Sequence, residues 1–273
     1  MTRRTIWAPP KSMSLLSGNM MKARMTMTAA LAVCAIGIAV AQPVGVCPLG
    51  ATDVETAQLV GKVSSVECTT WHVDFSRHTI VKDGQASHTI DRYMEDGRIE
   101  SSVSMDADGQ VDTKTIYQYD DEGRKRVSTT YSAAGDRTLQ TLYAYTADGC
   151  LARMRFTDAD AVTISTTEVG TATGWSQTAE LFNDGEKVVT TYTYDDRTRL
   201  SARTSDDGHM ASTLRLTMGL DGLPSRGAYS TSDGRKQTIT FEHEKDAQGN
   251  WTRRVTYIDG KATELSVRKI MYY

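Results

Sequence analysis

The chain has 273 residues, with 31 Lys and Arg against 34 Asp and Glu and a formal net charge of −3. That balance offers no basic stripe for a phosphate backbone, which argues against nucleic acid as a partner. Of the four Cys, the three beyond residue 41 are an odd count, which is not a disulfide framework.

Residues 1–19 precede a better-placed start at Met20 or Met21 and are set aside from fold reasoning. Residues 20–41 read as a Sec-type signal peptide within the block 1–41. Lys22 and Arg24 form its basic n-region, Met25 to Val40 is apolar apart from two Thr and one Gly, and Ala39-Val40-Ala41 is an A-x-A cleavage site before Gln42. The alternative, an N-terminal anchor, is disfavoured because the run is short and closely followed by polar chain. A lipobox requires a small residue before Cys, but Cys34 follows Val33 and Cys47 follows Val46. The expectation is a soluble exported protein, periplasmic or secreted, that does not span the membrane after cleavage. Residues 1–41 hold five of the 31 Lys and Arg and none of the 34 Asp and Glu, so the chain from Gln42 carries 26 against 34, a net charge of −8. Such a charge keeps an exported protein dispersed. Cys47, Cys68 and Cys150 remain. An oxidising compartment permits one bridge, with Cys47–Cys68 the pair closest in sequence; three unpaired thiols are the alternative.

Residues 42–58 read as a flexible leader. From Leu59 the text becomes strand-like, beginning LVGKVSSVECTTWHVDF, and 59–273 reads as a single β domain. Turn signals recur at Asp83-Gly84, Asp96-Gly97, Asp108-Gly109, Glu122-Gly123, Ala134-Gly135 and Asp148-Gly149. They continue at Asp184-Gly185, Asp207-Gly208, Asp221-Gly222, Asp233-Gly234, Gln248-Gly249 and Asp259-Gly260. Gly after Asp supplies the positive φ of a tight hairpin turn. Asp158–Asp160, Val169–Gly174 and Asp195–Thr198 lack an X-Gly pair in register but keep turn composition. Fifteen turns delimit about 16 strands, each of roughly 8–9 residues.

The strands alternate. Thr115, Tyr117 and Tyr119 share one face, with Lys114, Ile116 and Gln118 on the other; Val188, Thr190, Tyr192 and Tyr194 line one face of a later strand. Period two with one wetter face marks half-buried antiparallel strands. Tyr-x-Tyr marks a longer period at Tyr117/Tyr119, Tyr143/Tyr145, Tyr192/Tyr194 and the worn Phe241/His243, so one unit is one hairpin of roughly 25 residues. Open twisted sheets rarely pass about 10 strands without curling. The expected fold is therefore all-β: a long antiparallel meander of repeated hairpins, curled into a trough or partial barrel with the Tyr, Val and Leu face inward.

These units resemble the YD-repeat (Rhs-type) family, whose unit runs Tyr-x-Tyr-Asp-x-x-Gly-Arg-Leu into a polar strand and another Gly turn. Tyr117-Gln-Tyr119-Asp120-Asp-Glu-Gly123-Arg124 fits it well. Tyr143-Ala-Tyr145 through Gly149-Cys-Leu151 fits with Thr146 for Asp, and Tyr192-Thr-Tyr194-Asp195 through Arg199-Leu200 fits without the Gly. The segment Gly249-Asn-Trp through Gly260 is similar to the last repeat of short exported bacterial members. The resemblance covers about residues 59–273. It implies a β-repeat architecture and no particular chemistry; long members wrap toxins, and this chain is far too short for that.

No catalytic constellation stands out. His72, His78, His88, His209 and His243 fall in separate segments, with no paired metal-ligand spacing. Asp106-Ala-Asp108-Gly109 and Asp158-Ala-Asp160 look like fragments of calcium loops but lack the closing Glu, and turn chemistry already explains them. No cofactor is expected. The candidate ligand face is aromatic: Tyr117, Tyr119, Tyr143, Tyr145, Tyr192 and Tyr194 could stack on sugar rings or apolar groups, or could simply pair across strands. Arg124, Arg126, Arg153, Arg155, Arg253 and Arg254 are expected to pair with Asp and Glu or shield strand faces. The leading expectation is a non-catalytic exported protein with a binding or structural role at the bacterial cell envelope, its partner an envelope protein or a glycan. The rivals are a carbohydrate or lipid carrier using the Tyr-lined concave face and a hydrolase whose carboxylates converge only in the fold.

Overall fold

The computed structural model describes residues 53, 57–76, 79–147, 149–169, 176–183, 185–195 and 199–273. The signal-peptide segment and Cys47 lie outside the described residues. Sixteen strands follow one another in the chain. The first eight are β1 (Val63–Ser76), β2 (Thr79–Tyr93), β3 (Ile99–Met105), β4 (Val111–Tyr119), β5 (Lys125–Ser132), β6 (Arg137–Tyr145), β7 (Leu151–Thr157) and β8 (Thr163–Val169). The second eight are β9 (Ser176–Asn183), β10 (Glu186–Tyr194), β11 (Leu200–Asp206), β12 (Ala211–Met218), β13 (Pro224–Thr231), β14 (Lys236–Lys245), β15 (Trp251–Ile258) and β16 (Lys261–Tyr272).

Each strand pairs antiparallel with the next, and β16 then pairs with β1, so the meander is a closed barrel. The expected trough or partial barrel is corrected here. Closure removes both sheet edges, which an open meander would have left exposed. At the seam Thr70 lies opposite Ser266, and their hydroxyls are 2.9 Å apart.

Residues opposite each other in an antiparallel ladder share a face. Following the register from Tyr117 through Ser128 and Thr141, and on past Leu214, Ile239 and Arg254 to Thr70, one face returns to itself around the ring. This is the inner face. Ile239 is 1% exposed on it, Leu214 6% and Tyr194 3%. The outer face carries exposed residues such as Arg153, Arg155, Arg215 and Glu242. Binary patterning has put the tyrosine ladder inside and most of the charges outside, with exceptions on both faces such as Arg254 within and Ile116 without.

One apolar cluster lies outside. The β1–β2 hairpin is bent by bulges on either side of Trp71, and Asp83 and Gly84 bulge together opposite His72. Asp83-Gly84 is therefore not the expected hairpin turn: Gly84 spends its positive φ of 79° on a bulge inside β2. The bend lets Val73 pack on Val255, Ala262 and Leu265, with Trp71, Ile80 and Tyr257 around them. The other expected turn glycines all have positive φ. Asp158–Asp160 is a turn too, with Ala161 at φ 62° in the glycine position. Residues 170–174 and 196–198, in the other two degenerate turns, lie outside the described residues.

Cys150 is disulfide-bonded and buried. Three unpaired thiols are thereby ruled out; Cys68 is buried on the inner face and is not disulfide-bonded, so the candidate Cys47–Cys68 pair is overturned as well.

Candidate functional site: the tyrosine-lined mouth of the barrel

The hairpins that follow even-numbered strands meet at one end of the barrel. Those after β2, β6, β12 and β14 share the main-chain bonds of the turn after β4. Asp120 N–H donates to the Arg124 carbonyl at 2.8 Å, and Gly123 N–H donates to the Asp120 carbonyl at 3.0 Å. With Gly123 at φ 77° this is a three-residue loop closed by a glycine bulge. Asp120 completes it from its side chain: Oδ1 accepts Arg124 N–H at 2.7 Å and Oδ2 accepts Arg124 Nε–H at 2.8 Å. Asp195 and Arg199 repeat the arrangement at 2.9 and 2.8 Å. Burial would raise the Asp120 carboxyl, but the hydrogen bonds from Arg124 outweigh it and hold the group below its usual range.

The tyrosines join one repeat to the one before it. Tyr119 Oη lies 2.7 Å from the Ile99 carbonyl oxygen, and Tyr145 Oη donates to the Lys125 carbonyl at 2.8 Å. The Arg98 guanidinium sits 4.9 Å from the centre of the Tyr119 ring, and Arg124 sits 5.0 Å from that of Tyr145. The motif is therefore a cassette: Asp closes the turn, Gly permits it, Arg pairs with Asp and stacks on the next repeat, and Tyr reaches back to the previous hairpin.

The mouth also receives the start of the described chain. The Asp53 carboxylate accepts Ile99 N–H at 2.9 Å, lies 2.6 Å from Tyr119 Oη and pairs with Lys125 Nζ at 2.7 Å. Leu59 is buried among Val63, Val66, Tyr93 and Ile99, with Tyr117, Ile270 and Tyr272 against them. Val60 N–H donates to Asn250 Oδ1 at 2.7 Å, and Asn250 Nδ2 donates to the Val60 carbonyl at 2.8 Å. Most of the leader, 42–58, lies outside the described residues, but Asp53 within it is held by both a cation and the backbone. Burial first, then the Asp53 charge, raises the Tyr119 phenol above its ordinary range.

The six candidate tyrosines all lie on the inner face but do not form one platform. Tyr117 and Tyr119 on β4 and Tyr143 and Tyr145 on β6 flank β5, and Tyr143 Oη is 3.3 Å from Ser128 Oγ. Tyr192 and Tyr194 stand apart on β10, with Tyr192 opposite Arg203. Of the expected arginine pairings, Arg124 meets Asp120 and Glu122, Arg153 meets Glu168 at 2.6 Å and Arg253 meets Glu244 at 3.0 Å.

Arg254 behaves differently. It points inward, is 6% exposed and sits 4.7 Å from the Trp251 ring centre, while Arg268 stacks on the same ring at 3.6 Å. His243 is beside them, its ring centre 6.4 Å from that of Trp251. Burial and then the Arg254 charge push the His243 imidazole down from 6.5 to about 4. Sequence reasoning placed Trp251 in the last repeat without a binding role and passed over Arg268. The signal for Trp251 lay in the repeat: it follows Gly249-Asn250 as Leu151 follows Gly149-Cys150, the position that opposes the inward Tyr145.

Comparison with protein-family models and with curated proteins finds no match. Solved structures with a similar strand arrangement include a porin-like protein from Bacteroides uniformis, at 12% identity and TM-score 0.43, covering 78% of this chain and 98% of that one. A porin-like protein from Bacteroides vulgatus is 13% identical with TM-score 0.38, covering 77% and 98%. A Photorhabdus luminescens Tc holotoxin pore is 15% identical with TM-score 0.27, covering 72% of this chain but 14% of that one.

Proposed function

We propose that the chain is an exported, non-catalytic YD-repeat barrel that keeps water on its outer side and has a binding or structural role at the bacterial cell envelope. The outer face carries the argument. Lys114, Arg155, Glu180, Arg215 and Glu242 lie on it within β4, β7, β9, β12 and β14. A Lys or Arg on a lipid-facing strand costs about 2–4 kcal/mol at the bilayer midplane. An outer surface that carries these charges suits water, even with Ile116, Phe182 and Val267 exposed on it. The repeat cassette at the mouth supports the YD-repeat reading, because its Arg and its second Tyr each reach a neighbouring hairpin while its Asp and Gly close their own turn. The role is one of presentation: a rigid ring of hairpins with a polar outside that a neighbouring envelope protein or glycan can meet.

Expression from the chain's own start, followed by osmotic release and mass spectrometry, tests this. The expected product appears in the aqueous fraction without detergent and begins at Gln42. A product that needs detergent for extraction, or retains residues 20–41, overturns the reading.

A further inference from the structure

The outer face of β12, β13 and β14 carries a shallow groove flanked by cations. Ala228 lies at its bottom, between Arg215 on β12 and Thr238 on β14 in the ladder. One step along the strands Ser230 lies between Thr213 and Lys236; one step the other way Arg226 lies between Thr217 and Thr240. A methyl group set among longer side chains leaves an open depression of about 350 Å3, bordered on this face by Arg215, Ser230, Lys236, Thr238 and Asp259. We propose that this groove binds an acidic oligosaccharide, with the carboxylate of a uronic-acid ring between Arg215 and Lys236 and the ring hydroxyls over Ser230 and Thr238.

The charges that the site needs are not spent elsewhere. Arg215, Arg226 and Lys236 are exposed, and among the described residues their side chains make no ion pair or hydrogen bond. Cations close by are matched: Arg235 with Asp233 at 3.0 Å, Arg253 with Glu244 at 3.0 Å and Lys245 with Asp221 at 2.8 Å. Strand spacing puts the Arg215 and Lys236 main chains about 12 Å apart, so two long side chains can close on one ligand above Ala228. The planar fork of Arg215 can take a carboxylate on two N–H groups, and Lys236 meets it as a point charge. Arg226, one step along, extends the positive ground to a second ring.

The surroundings select the kind of anion. Asp259 closes one rim, where its Oδ1 accepts Thr238 N–H at 2.8 Å. Glu242 lies further along β14 and Asp206 on β11, both exposed. The chain from Gln42 carries a net charge of −8. A dense polyanion would meet these carboxylates as soon as it ran past the groove. A sugar acid carries its charge sparsely, and its hydroxyls can both donate to and accept from Thr and Ser hydroxyls.

The inference rests on the proposed envelope role, for which it names a glycan partner, and is tested separately from it. Isothermal titration of the full chain compares trigalacturonate, its methyl ester and tripolyphosphate. Trigalacturonate is expected to bind at least tenfold tighter than the ester, and added salt should weaken it. Arg215→Gln and Lys236→Gln should each weaken it at least threefold, and the double variant should lose the preference for the acid. Asp259→Asn, which keeps an acceptor for Thr238 N–H, should tighten binding about twofold. Arg155→Gln, an exposed outer arginine on β7, should change nothing. Equal binding of acid and ester, binding of neither, or an indifferent double variant with unchanged circular dichroism overturns the inference. So does tripolyphosphate binding tighter than trigalacturonate, which would mark a general polyanion patch. A chain released in water that ignores all three probes leaves the proposed function standing.

Discussion

Tyr119 has one hydroxyl proton and two acceptors in reach, the Asp53 carboxylate at 2.6 Å and the Ile99 carbonyl at 2.7 Å. It donates to one at a time, so the hydroxyl couples the leader to the β3 backbone. Tyr119→Phe is expected to cost about 1–2 kcal/mol in chemical denaturation, the usual loss when a half-buried hydrogen-bonding group goes. Tyr131→Phe, on the outer face opposite Lys114, should change stability by less than about 0.5 kcal/mol. Equal losses would mean that the Tyr119 hydroxyl ties nothing together. The Tyr-x-Tyr-Asp pattern was legible in the sequence, but the work of its second tyrosine was not. Its acceptor is a main-chain carbonyl 20 residues earlier, and a carbonyl has no signature in the sequence. Asp53 was hidden for the same reason, because a lone carboxylate in a polar segment shows nothing of the N–H and ammonium groups that meet it.

At the scale of the hairpin, the turns were the most legible feature, since positive φ narrows the choice of residue so sharply. Among the described turns the misreading is Asp83-Gly84, and it arose because a bulge inside a strand makes the same demand on a glycine as a turn does. Ala161 shows the reverse case, a left-handed position without a glycine at φ 62°. That conformation costs an L-residue about 1–2 kcal/mol, and the extra freedom of an unfolded glycine takes back about 0.4–1 kcal/mol. Ala161→Gly is therefore expected to stabilise the protein by about 0.5–1 kcal/mol, read as a higher urea midpoint with an unchanged slope. An unchanged or lower midpoint would show that the turn at Asp158 is not strained.

For the molecule as a whole, strand number followed from turn spacing, but closure did not. The seam pairs Thr70 with Ser266, 196 residues apart, and no local pattern records that two distant strands have matching lengths and faces. The seam also replaces two sticky edges with one ladder. Deleting Lys261–Tyr273, the last strand and its final residue, should expose the flanks of β1 and β15. Light scattering after size-exclusion chromatography should then show oligomers where the full chain runs as a single species. A truncated chain with the same elution and the same strand-rich circular dichroism would show that the ring does not need its last ladder.

The ring has one more consequence, and it concerns time. All ladders but one join neighbours in the chain, so hairpins can form as soon as their residues are available. The exception joins the first strand to the last. During synthesis β1 emerges earliest, pairs with β2 and bends over at Trp71, but its other flank must wait until β16 has been made. Until that moment the nascent protein is an open ribbon with a bare β-edge, at the stage when such edges most readily capture a second chain. A helper that covers β1 during this interval would matter more for yield than for the stability of the finished ring.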